Sequence, residues 1–155
     1  MNRIYRPAYI DYWKDNGDWY VNLLYNKENI EKELKENKTT YFFIQAENKN
    51  IGIFRCVYEI DTDYETDVNS IKIHRLYIDQ TIQNKGIGKE IINWLIDDSI
   101  KKGYKKLWLE VMEKQLQARN FYKQLGFINV DKVIVDFPLL YDDYRGMYKM
   151  EKYLD

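Results

Sequence analysis

The sequence predicts a mixed α/β fold in which helices cover both faces of a central β-sheet. Three observations predict it: a helical N-terminal third, a set of β-rich or alternating runs, and amphipathic helical spacing between the later runs. The predicted strands are 40–46, 51–60, 71–78, 106–111, 128–136 and 146–152. The order helices, hairpin, strand–helix–strand–helix and strands is typical of a mixed sheet with helices on its faces.

The N-terminal third contains two predicted helices. Aromatic and aliphatic residues within 13–24 predict the first. Ile30 and Leu34, at i, i+4 spacing, predict a second helix over 28–36. The period then changes to that of strands, and the polar run 47–50 predicts a hairpin turn.

The run 71–78 alternates as a half-buried strand does. Strict alternation places one set of side chains on one face of the sheet and the residues between them on the other. That first set is Ile71, Ile73, Arg75 and Tyr77.

The next helix follows from the helical spacing of apolar residues in 87–96 and ends at Gly103. A buried strand at 106–111 and a helix around Ala118, stopped by Gly126, come next.

Composition limits the classes of protein to which the chain can belong. The 155 residues suit one domain, 1–155, and 24 Lys and Arg against 25 Asp and Glu give a net charge of −1. A nucleic-acid-binding domain is usually strongly basic, so no nucleic-acid partner is expected. A single cysteine, Cys56, excludes an intrachain disulfide and a multi-cysteine metal site, and no metal is expected. No run of about 18 apolar residues occurs, which predicts a cytoplasmic protein without a membrane partner.

The most informative stretch, 74–89, joins a strand to a helix through a short loop with two glycines. Free backbone N–H groups and the positive end of a helix make such a junction an anion site, and glycines let a diphosphate approach the backbone. The candidate phosphate contacts are Gln83, Asn84, Lys85, Gly86, Ile87, Gly88 and Lys89. For Lys85 and Lys89, a solvated surface position is an equal alternative.

Two other nucleotide-binding motifs fit less well. A Rossmann site would need a third glycine where the chain has Ile91, although Glu110 lies at about the spacing of that site's acidic residue. A Walker loop would need G-x-x-x-x-G-K-[ST], which does not occur. The missing third glycine therefore argues against a Rossmann site, whereas the spacing from the glycines to Glu110 does not.

Two motifs in this order resemble those of the GNAT superfamily of N-acetyltransferases. The stretch 83–88 fits Q/R-x-x-G-x-G/A, and 118–127 resembles the A-x-x-F-Y-x-x-x-G-F of the second motif. The resemblance covers 26–155 and is nearest to PaiA-type bacterial spermidine/spermine acetyltransferases. The segments EKELKENKTTYFFI, IKIHRLYIDQTIQNKGIGK and ARNFYKQLGF carry it.

The resemblance implies a fold, a co-substrate and a set of site residues. In the GNAT fold a mostly antiparallel sheet splays between its fourth and fifth strands, and acetyl-CoA lies in the opening. Carried over, the backbone of Leu76, Tyr77 and Ile78 pairs with the pantetheine arm, and the loop 83–88 holds the pyrophosphate. Tyr122 takes the place of the tyrosine that protonates the departing CoA thiolate in many members.

Three features depart from the family pattern. Gln115 stands where the family often has Asn, which keeps the amide but changes its reach toward the cofactor. Only a short stub precedes Ala8, so the usual first strand and helix are expected to be shortened or missing, which affects the amine-side wall. His74 stands where the PaiA-type group often has Glu. It is either the base that deprotonates the amine, usually through water, or a structural histidine of the sheet.

Acidic residues gather in 61–67 and at Asp142 and Asp143, interleaved with tyrosines. They are either solvated loop charges or the flank of a cleft for a polycation. A carboxylate attracts a cationic amine but also raises the pKa of that amine, which makes deprotonation harder.

The predicted function is direct acetyl transfer from acetyl-CoA to a primary amine, with polyamines as the first candidate acceptors. An alkylammonium with a pKa near ~10.4 must first lose a proton, which at neutral pH costs roughly 4 kcal/mol. The alternatives are a protein or peptide N-acetyltransferase, another small-amine acetyltransferase, and a non-catalytic acyl-CoA-binding protein on the same fold. The expected partners are a small-molecule amine and, since GNAT relatives are often dimers, a second copy of the chain.

Overall fold

The structure, a computed structural model that describes residues 1–58, 69–82 and 85–155, is built on a sheet of six strands. The strands are β1 (Thr39–Ala46), β2 (Lys49–Tyr58), β3 (Ser70–Ile78), β4 (Lys106–Met112), β5 (Ile128–Ile134) and β6 (Gly146–Tyr153). They lie in the order β1-β2-β3-β4-β6-β5, and every neighbouring pair is antiparallel except β3 and β4. The predicted mixed, mostly antiparallel sheet is confirmed.

Helices lie on both faces of this sheet, as predicted. They are α1 (Arg6–Tyr9), α2 (Asp18–Leu24), α3 (Lys27–Leu34), α4 (Ile87–Lys101) and α5 (Leu116–Gln124). Two neighbouring residues of β1 reveal the two faces, because successive side chains of a strand point in opposite directions. Tyr41 hydrogen-bonds to Glu33 of α3, whereas the ring of Phe42 packs against Trp94 of α4. The α4 face holds the hydrophobic core, to which α5 contributes Tyr122.

The β1–β2 hairpin turns more tightly than predicted. Ala46 pairs with Lys49, so the turn consists of Glu47 and Asn48, whose φ angles are 49° and 60°. A two-residue turn with positive φ at both positions twists in the same sense as the strands it joins. The predicted four-residue turn therefore shortens to two residues, and β2 starts earlier than expected.

A β-bulge interrupts β3 at His74. Arg55 of β2 pairs with Arg75, but the next residue, Cys56, pairs with Ile73. His74 is thus the extra residue, since two residues of β3 oppose one of β2 at this point. Because side chains alternate along a strand, an extra residue exchanges the two faces for everything that follows it.

The bulge makes the predicted alternation wrong in the second half of β3. Leu76 and Ile78, predicted to lie opposite Ile71 and Ile73, pack against the same hydrophobic core. Tyr77 instead faces the N-terminal helices, where its ring meets two tyrosine rings at centroid distances of 5.5 and 6.0 Å. The sequence contains no residue type that marks the bulge.

The sheet opens between β3 and β4. These parallel strands pair only where residues 70–72 lie beside 106–108. Residues 73–78 and 109–112, all within the described ranges, make no further pairs with each other, while β4 continues to pair with β6 on its other side. The expected splay is confirmed. It falls between the third and fourth strands of this chain because residues 1–38, described throughout, contribute no strand to the sheet.

Short helices and turns make up the N-terminal segment. Between α1 and α2 lies the 3₁₀ turn Ile10–Tyr12, and within residues 1–25, all of them described, the one β-contact is a bridge from Trp13 to Leu140. Aromatic rings hold the segment together, as where Tyr5 and Tyr20 stack with centroids 5.0 Å apart. The expected first strand is thus missing from this segment, whereas short helices are present.

A buried ion network ties α3 to the sheet on the face away from the core. The carboxylate of Glu33 lies 3.0 Å from Arg55 and 2.7 Å from Arg75. Tyr41 hydrogen-bonds to the same carboxylate, and Glu36 pairs with Arg55 at 2.8 Å. Burial alone would raise the pKa of Glu33, but hydrogen bonds from Arg75 and Tyr41 and the charges of both arginines lower it. The carboxylate is therefore held ionised between two buried cations.

Replacing Glu33 by alanine is expected to destabilise the fold strongly. The side chains of Arg55 and Arg75 are 5% and 3% exposed, so removal of the carboxylate leaves uncompensated buried charge at a cost of about 3–5 kcal/mol. Urea unfolding followed by circular dichroism measures the change. The control is Glu31→Ala on the exposed side of α3, which should alter stability by less than about 0.5 kcal/mol. Equal losses in the two variants would contradict the role given to the network.

Candidate active site

A first cleft, with a volume of about 860 Å³, opens beside the divergence of β3 and β4. Its lining comes from the end of β3, the start of α4, α5 and the N-terminal residues Ala8, Tyr9 and Tyr12. The predicted cofactor residues that line it are Leu76, Ile78, Gly86, Ile87, Gly88, Lys89 and Gln115. Tyr122 lines it as well. The structure thus gathers residues of both sequence motifs around one cleft.

Gly86 and Gly88 shape this cleft in different ways. Gly86 is the N-cap of α4 with a φ of 81°, a left-handed conformation that favours glycine. At Gly88 an added β-carbon would lie 3.3 Å from Cζ of Phe121, so the glycine lets α4 and α5 approach each other. The first N–H groups of α4 have no partner inside the helix. They point toward the start of the helix, where the dipole favours an anion.

β3 offers a backbone edge that β4 does not use. From residue 73 onward β2 is its neighbour on one side, and β4 has diverged on the other. Alternate N–H and C=O groups of such an edge point outward and can bind an extended ligand as an added strand would. Leu76 and Ile78 line the first cleft, whereas Tyr77 lines only the second cleft described next. Backbone pairing of these three residues with pantetheine stays a prediction.

A second cleft, with a volume of about 470 Å³, meets the first. It continues between the diverged strands, where 73–77 and 109–112 line it, and reaches the N-terminal helices. The residues that line both clefts are Tyr9, Leu76, Gln115, Ala118 and Tyr122. Ligands in the two clefts would therefore meet at this junction.

Tyr122 lies at the junction on α5 and is 8% exposed. Its ring packs against Phe121 and Phe127 at centroid distances of 5.0 and 5.5 Å. Burial raises the pKa of the phenol, and the nearby Tyr9 and Cys56 raise it further. The hydroxyl therefore keeps its proton at neutral pH and can donate a hydrogen bond.

Comparison with known proteins supplies the family. Residues 1–127 match the model of the Acetyltransferase (GNAT) family. The chain belongs to the GNAT family. This membership confirms the predicted enzyme class, an acyl-CoA N-acyltransferase, and acetyl-CoA as its co-substrate.

Curated relatives of this GNAT protein share parts of its length. An uncharacterised N-acetyltransferase in the pepI 3′ region of Lactobacillus delbrueckii subsp. lactis is 22% identical over 129 residues, which are 83% of this chain and 73% of the relative. An uncharacterised N-acetyltransferase of Methanocaldococcus jannaschii is 28% identical over 99 residues, 61% of this chain and 41% of the relative. The ribosomal protein bS18-alanine N-acetyltransferase of Escherichia coli strain K12 is 34% identical over 55 residues, 36% of this chain and 37% of the relative.

Solved structures show the same fold. PaiA N-acetyltransferase from Thermoplasma acidophilum, in complex with coenzyme A, superimposes with a TM-score of 0.75 at 19% identity, covering 98% of this chain and 87% of that one. The spermidine/spermine N-acetyltransferase SpeG from Vibrio cholerae gives a TM-score of 0.63 at 20% identity, covering 82% of this chain and 72% of that one. At these identities the likeness demonstrates the GNAT fold.

Tyr9 of α1 is a junction residue that sequence reasoning missed. Its side chain hydrogen-bonds to Gln115, while burial raises the pKa of its phenol. Gln115, predicted from a family position, therefore connects the start of α5 to the N-terminal helices. A signal was present, because seven of the first 25 residues are aromatic.

His74 lines the second cleft, but Arg55 engages its ring. Nδ1 of His74 lies 2.7 Å from Nη1 of Arg55. Burial lowers the pKa of His74, and the positive charges of Arg75, Arg55 and Lys72 lower it further, to about 3. The imidazole is therefore neutral at pH 7 and holds an added proton weakly. This environment suits the structural alternative, and the role of base stays a prediction.

The other predicted phosphate contacts fall in three places. Gln83 and Asn84 lie outside the described residues, as does the acidic stretch 61–67. Lys85 is exposed and lines neither cleft, whereas the exposed Lys89 lines the first.

The turn Asp142–Tyr144 approaches the first cleft through an aromatic ring. Tyr144 stacks on Tyr12, with ring centroids 4.2 Å apart, and Tyr12 lines the cleft. Asp142 pairs with Arg145 at 2.9 Å, and neither Asp142 nor Asp143 lines a cleft. These two carboxylates are therefore surface charges of the turn.

Two further properties concern residues 1–58, 69–82 and 85–155. No group of three or more His, Cys, Asp and Glu side chains in these ranges could hold a metal ion. None of the helices there is long and apolar enough to cross a membrane.

Replacing Gly86 by alanine is expected to weaken coenzyme A binding about tenfold, or about 1.4 kcal/mol. A residue with a β-carbon is strained by about 1–2 kcal/mol in the left-handed conformation that Gly86 adopts. Relief of that strain is expected to shift the first turn of α4, whose N–H groups are the predicted anion contacts. Isothermal titration with coenzyme A measures the affinity.

Gly103 provides a matched control. It too has a φ of 81° with no atom within 4 Å of an added β-carbon, but it follows the other end of α4. Gly103→Ala should lose a similar amount of stability and keep its affinity for coenzyme A. Equally weakened binding in both variants would show that the start of α4 does not hold the phosphates.

Proposed function

We propose that this chain transfers the acetyl group of acetyl-CoA directly to a primary amine. The meeting of two clefts at Tyr122 is the observation that most supports it. Residues of both family motifs line the first cleft, and the second cleft extends from the junction to the N-terminal helices. A co-substrate in the first cleft and an amine in the second would bring the reacting atoms together. Holding two reactants in this way turns a chance encounter into an oriented one.

The first cleft would bind the co-substrate through backbone groups. The proposed pyrophosphate contacts are Gln83, Asn84, Lys85, Gly86, Ile87, Gly88 and Lys89. The pantetheine arm would pair with the β3 edge at Leu76, Tyr77 and Ile78, which is supported by the divergence of β4. Gln115 would position the acyl end from the start of α5.

In the proposed reaction the amine nitrogen forms a bond to the acetyl carbon as the carbon–sulfur bond breaks. The ammonium loses one proton before attack, to water or to a base, and a second proton as the amide forms. Backbone N–H groups of β3 would stabilise the developing oxyanion. Tyr122 would deliver a proton to the departing thiolate and regain one from the amide-forming nitrogen through solvent.

Acceptor identity is the finer part of the proposal. Polyamines are the first candidates to test, because the fold is shared with PaiA and with a spermidine/spermine N-acetyltransferase and the sequence resembles PaiA-type enzymes. A peptide amine is the rival acceptor, suggested by the relative that acts on ribosomal protein bS18. The alternative from another functional class is a non-catalytic protein that binds acyl-CoA on the same fold. Amine-dependent release of free CoA thiol decides between catalysis and binding alone.

We also propose that residues 1–155 act as one GNAT domain in the cytoplasm. A homodimer is the proposed assembly, and sedimentation velocity would reveal its mass. No nucleic acid is proposed as a partner, since the net charge of the chain is −1.

Tyr122→Phe is expected to lower kcat about 100-fold while leaving the affinity for coenzyme A unchanged. The phenylalanine keeps the ring packing and removes only the hydroxyl that would protonate the thiolate, an effect of general-acid size. Thiol release measures kcat, and calorimetry measures binding.

Tyr58→Phe is the matched control, since Tyr58 is a partly buried tyrosine that packs against the core and lines neither cleft. It should retain kcat. Unchanged kcat in Tyr122→Phe would remove the general-acid role.

The pH dependence of kcat/KM separates the two roles considered for His74. With a pKa of about 3, His74 does not titrate near neutrality, so activity should rise with pH toward the pKa of the acceptor ammonium itself. No inflection is expected near ~6.5, the ordinary imidazole value. His74→Gln should keep that profile. An inflection near ~6.5 that disappears in His74→Gln would establish His74 as the base.

A further inference from the structure

We propose that the second cleft binds an acceptor amine that carries a single ammonium group on an aromatic or branched aliphatic body. The inference rests on the acetyl transfer proposed above and names the chemical class of its acceptor. It differs from the polyamine expectation, in which the acceptor carries several cations. Three features of the second cleft support this acceptor class. They are its aromatic rings, hydroxyl groups that already form hydrogen bonds inside the protein, and equal numbers of acidic and basic side chains.

One side of the second cleft is an aromatic wall formed by Tyr5, Tyr9, Trp13, Tyr20 and Phe137. Ring centroids are 4.9 Å apart for Trp13 and Tyr20, and 5.9 Å apart for Tyr20 and Phe137. Rings packed on one another present a fixed apolar surface. Such a surface favours flat or branched apolar groups by burial and offset stacking, and it attracts one cation through the ring faces.

Hydroxyl groups of the aromatic wall already have partners inside the protein. The indole N–H of Trp13 donates to the hydroxyl of Tyr5 at 3.2 Å. Tyr9 hydrogen-bonds to Gln115, and Tyr20 hydrogen-bonds to a tyrosine of β3. Each of these hydroxyl groups therefore already uses part of its hydrogen-bonding capacity inside the protein, which leaves less of it for a ligand. Burial of ring surface is therefore the main interaction that we expect of the wall.

The charges that line the second cleft cancel one another. Among the described residues they are Glu33, Lys72, Arg75 and Glu110, two acids and two bases. Glu33 lies 2.7 Å from Arg75, and Glu110 lies 2.7 Å from Lys72. Additional ammonium groups of a polyamine would lose their hydration without finding a surplus of carboxylate along this lining.

An apolar acceptor site also favours the chemistry. An ammonium moved from water to apolar surroundings is disfavoured in its charged form, so its pKa falls and the neutral nucleophile becomes more abundant. Unpaired carboxylates would have the opposite effect. Because Tyr9 belongs both to the aromatic wall and to the junction, an acceptor body on the wall lies within reach of Tyr122. The volume of about 470 Å³ falls within the range of small-molecule sites.

Binding without turnover gives the first test. The protein is saturated with coenzyme A, which carries no acetyl group to transfer, and titrated calorimetrically with 2-phenylethylamine and with 1,4-diaminobutane. The aromatic monoamine is expected to bind at least about tenfold more tightly, a difference of about 1.4 kcal/mol. Equal affinities, or tighter binding of the diamine, would overturn the acceptor class.

Phe137→Leu tests the aromatic wall directly. Leucine keeps an apolar side chain but removes the ring, so affinity for 2-phenylethylamine should fall about threefold to tenfold while affinity for 1,4-diaminobutane and for coenzyme A stays the same. The control is Phe43→Leu, since Phe43 is 73% exposed on β1 and lines neither cleft. It should change none of the three affinities. Unchanged binding of 2-phenylethylamine to Phe137→Leu contradicts the wall as its site.

Release of thiol from acetyl-CoA with the same amines, spermidine and an N-terminal peptide separates this inference from the proposed function. Turnover with spermidine, the diamine or the peptide alone overturns the acceptor class and keeps acetyl transfer. If none of these amines supports turnover although 2-phenylethylamine binds more tightly than the diamine, acetyl transfer is overturned and the proposed class of ligand is supported. Turnover that is fastest with 2-phenylethylamine supports both.

Discussion

The early end of the pairing between β3 and β4 is the constraint on which both clefts depend. After residues 70–72 leave 106–108, β3 continues with β2 and β4 continues with β6, so the sheet divides into two halves. A fully paired strand would use its backbone N–H and C=O groups within the sheet. Divergence leaves one edge of 73–78 open at the first cleft and creates the space that the second cleft occupies between the strands.

The bulge at His74 decides which side chains each cleft receives. It lies two residues after the last paired residue, so β3 exchanges its faces just as it leaves β4. Leu76 and Ile78 consequently turn to the core and the first cleft, and Tyr77 turns to the N-terminal helices. A bulge costs ladder hydrogen bonds and needs support. The ion network around Glu33 supplies it on the same face, since the two residues that pair across the bulge are the arginines that bind this carboxylate.

The first cleft could be predicted from sequence because its determinants are local. Two glycines before an amphipathic helix are adjacent in the chain, and the strand before them ends at a loop. The second cleft could not be predicted in the same way. Contacts such as that of Tyr9 with Gln115 join distant segments, and no residue type announces a bulge at His74. The density of aromatic residues near the N-terminus is visible in the sequence, but the surface that they form in the second cleft is not.

The proposed removal of a proton from the amine involves His74, the ion network and the aromatic wall. A base with an ordinary imidazole pKa could take the proton, but burial and the positive charges of Arg75, Arg55 and Lys72 keep the pKa of His74 far below that range. The arginines of the ion network beside β3 thus help to lower the basicity of His74. In the proposed acceptor site, rings and compensated charges would lower the pKa of the amine through desolvation. The N-terminal aromatic wall would then contribute to catalysis by favouring the neutral amine, and a strongly basic side chain at the junction would be unnecessary.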